Sequence, residues 1–325
     1  MQSLLDPAIL FFVFGVLAGA LKSNLEVPPA ISKFLSLYLL MALGMKGGFA
    51  LSQTPFSAQL FASLGAALLM AFVVPALGYQ VLRRHVAGFD AAAIAAAYGS
   101  VSAVTFVTAT QVMEAQGITA PGHMTVAMVL MESPAIVMAV LLASLLRHGN
   151  AARPAGAGAA AALPMRRVLH EAFTDGTHLL LLGSLAVGYL GGEAGKAMMQ
   201  PFTGDLFKGM LAFFLLDMGL LVARHFQAAR LQSPVLIAYA VLGPLLHAAL
   251  ALGLAVLLAL PVADTALLMV LSASASYIVV PAVLRHAIPE ANPSLYFGLS
   301  LGITFPMNIL LGIPLYVQVA QWVRG

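Results

Sequence analysis

The chain passes through ten apolar stretches, most of them about 20 residues long, in which charges are almost absent. In hydrocarbon every backbone N–H and C=O must find a partner inside the protein, so only helices and closed barrels cross a membrane. The runs are continuous and do not alternate polar with apolar, which excludes a barrel. Charged residues make up 8% of the chain and hydrophobic residues 61%. A soluble domain carries about 25% charged residues. A soluble enzyme and a nucleic-acid-binding protein are therefore excluded, and the lipid bilayer is the first partner.

The hydropathy places the spans near 7–21, 29–50, 58–82, 90–113 and 122–146, then 168–191, 205–223, 233–260, 264–285 and 294–320. Asp6 and Pro7 stand where a signal peptide would need a basic segment, so the first run is expected to stay as a helix. Between the fifth and sixth spans the sequence RHGNAARPAGAGAAAALPMRR, Arg147 to Arg167, is rich in Gly, Pro, Ala and Arg and reads as a basic linker. It separates residues 1–146 from 168–325.

The two halves resemble each other. Leu43-Gly44-Met45 matches Met218-Gly219-Leu220, Asp90 matches Asp264, Ser100-Val101-Ser102 matches Ser274-Ala275-Ser276, and Pro134 matches Pro306. A repeat of five spans must enter the membrane from opposite faces in its two copies. The expected fold is all-α transmembrane, with ten spans in two inverted five-helix repeats, the layout of many secondary transporters. One face then holds Lys22, Lys33, Arg83, Arg84, Arg147, Arg153, Arg166, Arg167, Arg224, Arg230 and Arg285. The other holds Lys46, Lys196, Lys208 and Arg324, which completes all 15 Lys and Arg. The cation-rich face is expected to be cytoplasmic, with both termini outside the inner (plasma) membrane.

Small and hydroxyl residues cluster in the middle of the fourth span, Ala95 to Phe106, and of the ninth, Leu271 to Pro281. Such clusters either pack helices closely or mark broken helices, whose freed N–H groups attract an anion and whose freed carbonyls suit Na⁺. The pairing of the clusters across the repeat favours the second reading. Pro281 supplies a cause for a break near Tyr277; in the fourth span the break rests on Gly99. The candidate anion site is Gly99, Ser100, Ser102, Thr105, Ser274, Ser276 and Tyr277. Intramembrane ionisable groups are functional suspects, and Glu132, Asp217 and His247 are such groups. Ser102, Ser276, Glu132 and Asp217 form the candidate cation or proton site. Gly15 and Gly19, a GxxxG pair, read as packing. With no cysteine, no Walker A, no HExxH and no GxSxG motif, disulfides, ATP-driven pumping and those hydrolase chemistries have no support. No catalytic residue is assigned, and no cofactor is expected beyond Na⁺ as coupling ion.

Three segments resemble the sodium-dependent bicarbonate transporter family, the SbtA-type permeases. They are Leu43-Gly44-Met45-Lys46-Gly47-Gly48, Tyr98-Gly99-Ser100-Val101-Ser102-Ala103-Val104-Thr105, and Arg285-His286-Ala287-Ile288-Pro289-Glu290-Ala291-Asn292-Pro293-Ser294. The last continues through Gly302-Ile303-Thr304 and Gly312-Ile313-Pro314. The resemblance implies a gate and a core bundle, a homotrimer, and Na⁺-coupled bicarbonate uptake between the two helix breaks. It also implies a PII-like cytoplasmic regulator, although the linker is shorter and less charged than the loop of the cyanobacterial branch. That branch carries an Asp and a Ser-Gly-Pro turn where this chain reads Tyr277-Ile278-Val279-Val280-Pro281, so a phenol replaces an acid. The expectation is a secondary transporter importing a small inorganic anion. The rivals are the same fold carrying another anion or a monocarboxylate with H⁺, and an ion-sensing membrane receptor.

Overall fold

The computed structural model describes residues 6–150, 176–230, 232–277, 280, 283–284 and 287–324. Among them there are helices and no strand. In chain order these are α1 Pro7–Ala20, α2 Pro29–Ser52, α3 Ala58–Leu82, α4 Gly88–Gly99, α5 Ala103–Ala115, α6 His123–Asn150, α7 Gly176–Gln200, α8 Leu206–Arg230, α9 Pro234–Leu257 and α10 Val262–Ala273. The last run is α11 Pro293–Leu299, α12 Phe305–Met307 and α13 Ile313–Arg324, joined by π turns at Ser300–Thr304 and Asn308–Gly312. The ends follow local chemistry. Asp6, Ser57 and Ser233 cap α1, α3 and α9 by accepting the N–H groups of Ala8, Leu60 and Leu236. The π turns precede Pro306 and Pro314. Proline lacks an N–H and clashes with the carbonyl four residues back, and a widened turn relieves both.

Among the described residues, seven helical runs are long and apolar enough to cross a membrane. One of them, Leu179–Phe226, has 48 residues and holds the later part of the sixth predicted span and the whole of the seventh; a single crossing uses about 20. The chain turns within it at Gly192, whose φ of 51° is a left-handed conformation that favours glycine. Pro7–Ala20 and Val262–Ala273 are apolar but shorter. Of the predicted linker, the part beyond Asn150 lies outside the described residues, as do the start of the sixth span, Pro281 and Arg285.

The helices sort into two bundles. In one, α1 packs on α8 and α2 on α7 and α8. In the other, α3 packs on α4 and α6, α9 on α10, and α10 on α13 and α3. The first bundle is drawn tight by small residues. A Cβ on Gly15 would lie 2.2 Å from the Leu216 carbonyl oxygen, and one on Gly48 would lie 2.2 Å from that of Leu185. The GxxxG pair thus packs α1 on α8, as expected.

The second bundle is braced by buried polar groups. The Asp264 carboxylate accepts from the Ser63 hydroxyl at 2.6 Å and pairs with His123 Nε2 at 2.5 Å. Asp90, which the sequence aligns with Asp264, accepts the Asn292 N–H at 2.7 Å. Each acid sits in the first turn of a half-helix. Each holds the start of the last span of the opposite half. Arg147 closes the same bundle through a two-pronged pair with Glu290, 2.8 Å on each prong. This guanidinium holds the Glu290 carboxyl below the usual carboxylate range.

Candidate functional site

Both hydroxyl clusters lie at true helix breaks. α4 stops at Gly99, Ser100 and Ser102 are extended, and α5 restarts at Ala103. α10 stops at Ala273 and Ser274 is extended. The second break therefore begins several residues before Pro281. Gly99 allows the first break to sit against α3: a Cβ there would meet the Pro75 ring at 2.6–2.7 Å.

The two breaks are stitched together. The Ser102 N–H donates to Ser274 Oγ at 3.0 Å, and the Ser276 N–H donates to the Ala97 carbonyl at 2.8 Å. Ser274 Oγ in turn donates to the Leu271 carbonyl at 2.8 Å. Ser102 caps α5 by accepting the Thr105 N–H, and Ser276 Oγ accepts the Val280 N–H. Asn308, from the π turn before Pro314, donates to the carbonyl freed at Ala273 at 2.8 Å and accepts from the Tyr316 hydroxyl. Tyr98 donates to Thr304 Oγ1, which donates to the Ala240 carbonyl, so the end of α4 is tied to the last span and to α9. Ala97 and Ala273 thus spend their freed carbonyls within the protein.

A cavity of about 60 Å³ opens beside the stitch, on the seam between the two bundles. Ser36, Leu39 and Leu40 of α2, Leu181 of α7 and Phe214 of α8 form one wall. Val101 to Val104, Val107, Met128, Glu132, Ser276 and Tyr277 form the other. The first N–H groups of a helix have no partner within it. In α5 two serines satisfy the donors of Ser102 and Thr105, which leaves Ala103 and Val104, both at the cavity. Among the described residues no Lys or Arg lines it, so an anion there would meet hydroxyls and the positive end of a helix.

Of the expected site residues, Ser102, Ser276, Tyr277 and Glu132 line this cavity. Ser274 serves the stitch, and Thr105 offers its backbone N–H to the cap. Ser100 is buried, and its hydroxyl has no hydrogen-bond partner among the described residues. Asp217 is elsewhere: it does not line the cavity, and the groups that act on its carboxyl are Ser32 and Arg224. His247 lies buried in α9, edge-on to Tyr239 and away from the cavity. Tyr277 stacks edge-on against Phe305 with ring centroids 5.1 Å apart. Its hydroxyl donates to the sulfur of Met218 at 3.9 Å, and Ser102 lines the cavity beside it. Sequence reasoning missed Ser36, the apolar wall and Asn308. Asn308 alone carried a signal, as a polar side chain in the middle of an apolar span.

A multi-pass helical membrane protein, with a small cavity where two broken helices meet between two bundles, has the build of a secondary transporter. The model of the Na⁺-dependent bicarbonate transporter superfamily matches residues 7–321, and the chain belongs to that family. A comparison with curated proteins finds no match.

Proposed function

We propose that the protein imports bicarbonate across the inner membrane, coupled to Na⁺, and that the anion binds in the cavity at the stitched breaks. One observation carries this reading: two repeat-related serines, Ser102 and Ser276, meet the first turn of α5 at a cavity between two bundles. Bicarbonate has one negative charge and four heavy atoms. A water needs roughly 10–15 Å³ of such space, so a cavity of about 60 Å³ suits an anion of that size. The Ala103 and Val104 N–H groups and the serine hydroxyls would hold the oxygens. Na⁺ would be held by the Glu132 carboxylate with hydroxyls nearby, in place of the missing acid at Tyr277. Binding is then modest in strength, because no Lys or Arg among the described residues faces the anion.

The ten-span inverted layout is part of this proposal and has support in the packing. Gly15 and Gly188 differ by 173 positions and Gly44 and Gly219 by 175, close to the repeat spacing. Gly15 closes on Gly219 in the α1–α8 pair, and Gly44 and Gly188 close on their partners in the α2–α7 pair. In the inverted layout a two-fold operation would exchange these pairs. The bundle of α1, α2, α7 and α8 then serves as the gate, and the braced bundle moves against it. A trimer, a cytoplasmic linker face and a PII-like regulator belong to the same reading.

The test is accumulation of radiolabelled bicarbonate in proteoliposomes. An inward Na⁺ gradient should drive it and an inward H⁺ gradient alone should not. Accumulation driven by H⁺ and not by Na⁺ would assign Glu132 to proton coupling and overturn the Na⁺ claim. Stronger competition by formate or acetate than by unlabelled bicarbonate would overturn the substrate. Binding without flux would make the protein a receptor.

A further inference from the structure

A second, larger cavity of about 590 Å³ lies on the same seam, nearer the other end of α2. Three of the four cations assigned to the minority face, Lys46, Lys196 and Lys208, line it, together with the acids Glu114 and Asp205. The two cavities lie along the same faces of α2 and α5. On α5 the seam face runs Ala103, Val107, Gln111, Glu114, at helical spacing. On α2 it runs Ser36, Leu40, Leu43 and Gly47, with Lys46 beside it. Val107 belongs to the deep cavity and Gln111 to the outer one, four residues and about 6 Å of rise apart.

Two features of the outer cavity point to a ligand. Gln111 is buried, yet its amide oxygen has no partner among the described residues. The Lys46 ammonium is held at 2.8 Å by Glu114 across the seam, from the gate bundle to the broken helix, and lies 4.8 Å above the Phe207 ring. About a third of each side chain of that pair is exposed, 28% for Lys46 and 33% for Glu114. Such a pair is weak and easily exchanged.

We propose that the outer cavity is an entry site for a small oxyanion that still carries one O–H, in which Lys46 exchanges Glu114 for the arriving anion and the Gln111 amide oxygen accepts that O–H on the way to the deep cavity. Lys196 and Lys208 raise the local anion concentration, and Glu114 holds Lys46 in place while the site is empty. The proposal rests on the transport reading for the direction of passage. The charge exchange can be tested without it.

The chain has no cysteine, so Thr119→Cys, on the exposed rim of this cavity, places a single thiol there. Its modification rates by an anionic, a cationic and a neutral methanethiosulfonate reagent report the local potential, with the neutral rate correcting for access. The anionic-to-cationic ratio should fall about threefold or more with Lys46→Gln. It should hold with Lys46→Arg and rise with Glu114→Gln. Bicarbonate should slow the anionic reagent when Lys46 is present and not in Lys46→Gln. In vesicles, Lys46→Gln should raise the KM for uptake by about threefold or more and leave the maximal rate nearly unchanged. A ratio that ignores both Lys46→Gln and Glu114→Gln, or protection by bicarbonate that survives Lys46→Gln, would overturn the proposal. Vesicles of the unaltered protein that carry no bicarbonate would refute the transport reading alone, since the thiol ratios are independent of flux.

Discussion

Ser274→Ala is the sharpest perturbation of the stitch. Ser274 is 1% exposed, and its hydroxyl is the acceptor for the N–H of Ser102, itself 5% exposed. Alanine removes the acceptor and gives no water access to replace it. A buried donor left without a partner costs about 1–3 kcal/mol. The Leu271 carbonyl also accepts the Ser274 N–H, at 3.2 Å, so it adds little to the cost. The loss falls on the break geometry that presents Ala103 and Val104 to the cavity. Unfolding of the purified protein in mixed micelles of rising denaturing-detergent fraction would measure it. Ser274→Ala should shift the equilibrium about 5- to 150-fold towards the unfolded form. Ser274→Thr, which keeps the hydroxyl, should shift it much less. Uptake should fall with Ser274→Ala. An unchanged unfolding curve for Ser274→Ala, with Ser274→Thr also unchanged, would refute the stitch as an energetic link between the two breaks.

Other outcomes follow from the packing and the charge pairs. Gly48→Ala drives a methyl group to 2.2 Å from the Leu185 carbonyl oxygen and should cost about 1–3 kcal/mol by separating α2 from α7. Gly253→Ala, with nothing within 4 Å, should be neutral or stabilise by up to about 1 kcal/mol in the same unfolding assay. Asp264→Ala leaves the Ser63 hydroxyl and His123 Nε2 without their shared partner, and each buried polar group left unmet should cost about 1–3 kcal/mol. Glu290 has its carboxyl held below the usual range by Arg147, so the pair's contribution is present at neutral pH and is lost as pH falls through the lowered value. The two side chains are 22% and 34% exposed, which keeps the contribution to about 1 kcal/mol or less. Arg147→Gln should remove that part of the acid sensitivity in a pH series of unfolding curves.

The two breaks and the pairing of their serines were legible because each rests on local chemistry. Apolar runs show where the chain can cross, and Ser-x-Ser interrupts a run with groups that need partners. Ser102 and Ser276 fall at the cavity for that reason. Two parts were not legible. Leu39, Leu40, Leu181 and Phe214 form half of the cavity wall, but in a span they look like any lipid-facing residue, and only the crossing of α2 with the breaks sets them apart. Asp217 and Glu132 look alike in sequence, each an acid in an apolar run. Their rotation about the helix axis sends one to Ser32 and the other to the cavity. Asp264 was readable as a repeat marker, and its role as a brace needed His123 and Ser63 from two other spans.

The central claim is that the cavity at the breaks binds the transported anion through Ser102 and Ser276. The most direct measurement is Na⁺-gradient-driven uptake of radiolabelled bicarbonate by three alanine variants in proteoliposomes of matched protein content. Ser102→Ala and Ser276→Ala each remove a cavity hydroxyl and should each lower uptake by tenfold or so, the equivalent of about 1.4 kcal/mol. Ser272→Ala is the control: that serine is equally buried and its hydroxyl has no partner among the described residues, but it does not line the cavity. Its uptake should match the unaltered protein. Wild-type uptake in both Ser102→Ala and Ser276→Ala, or an equal loss in all three, would contradict the account.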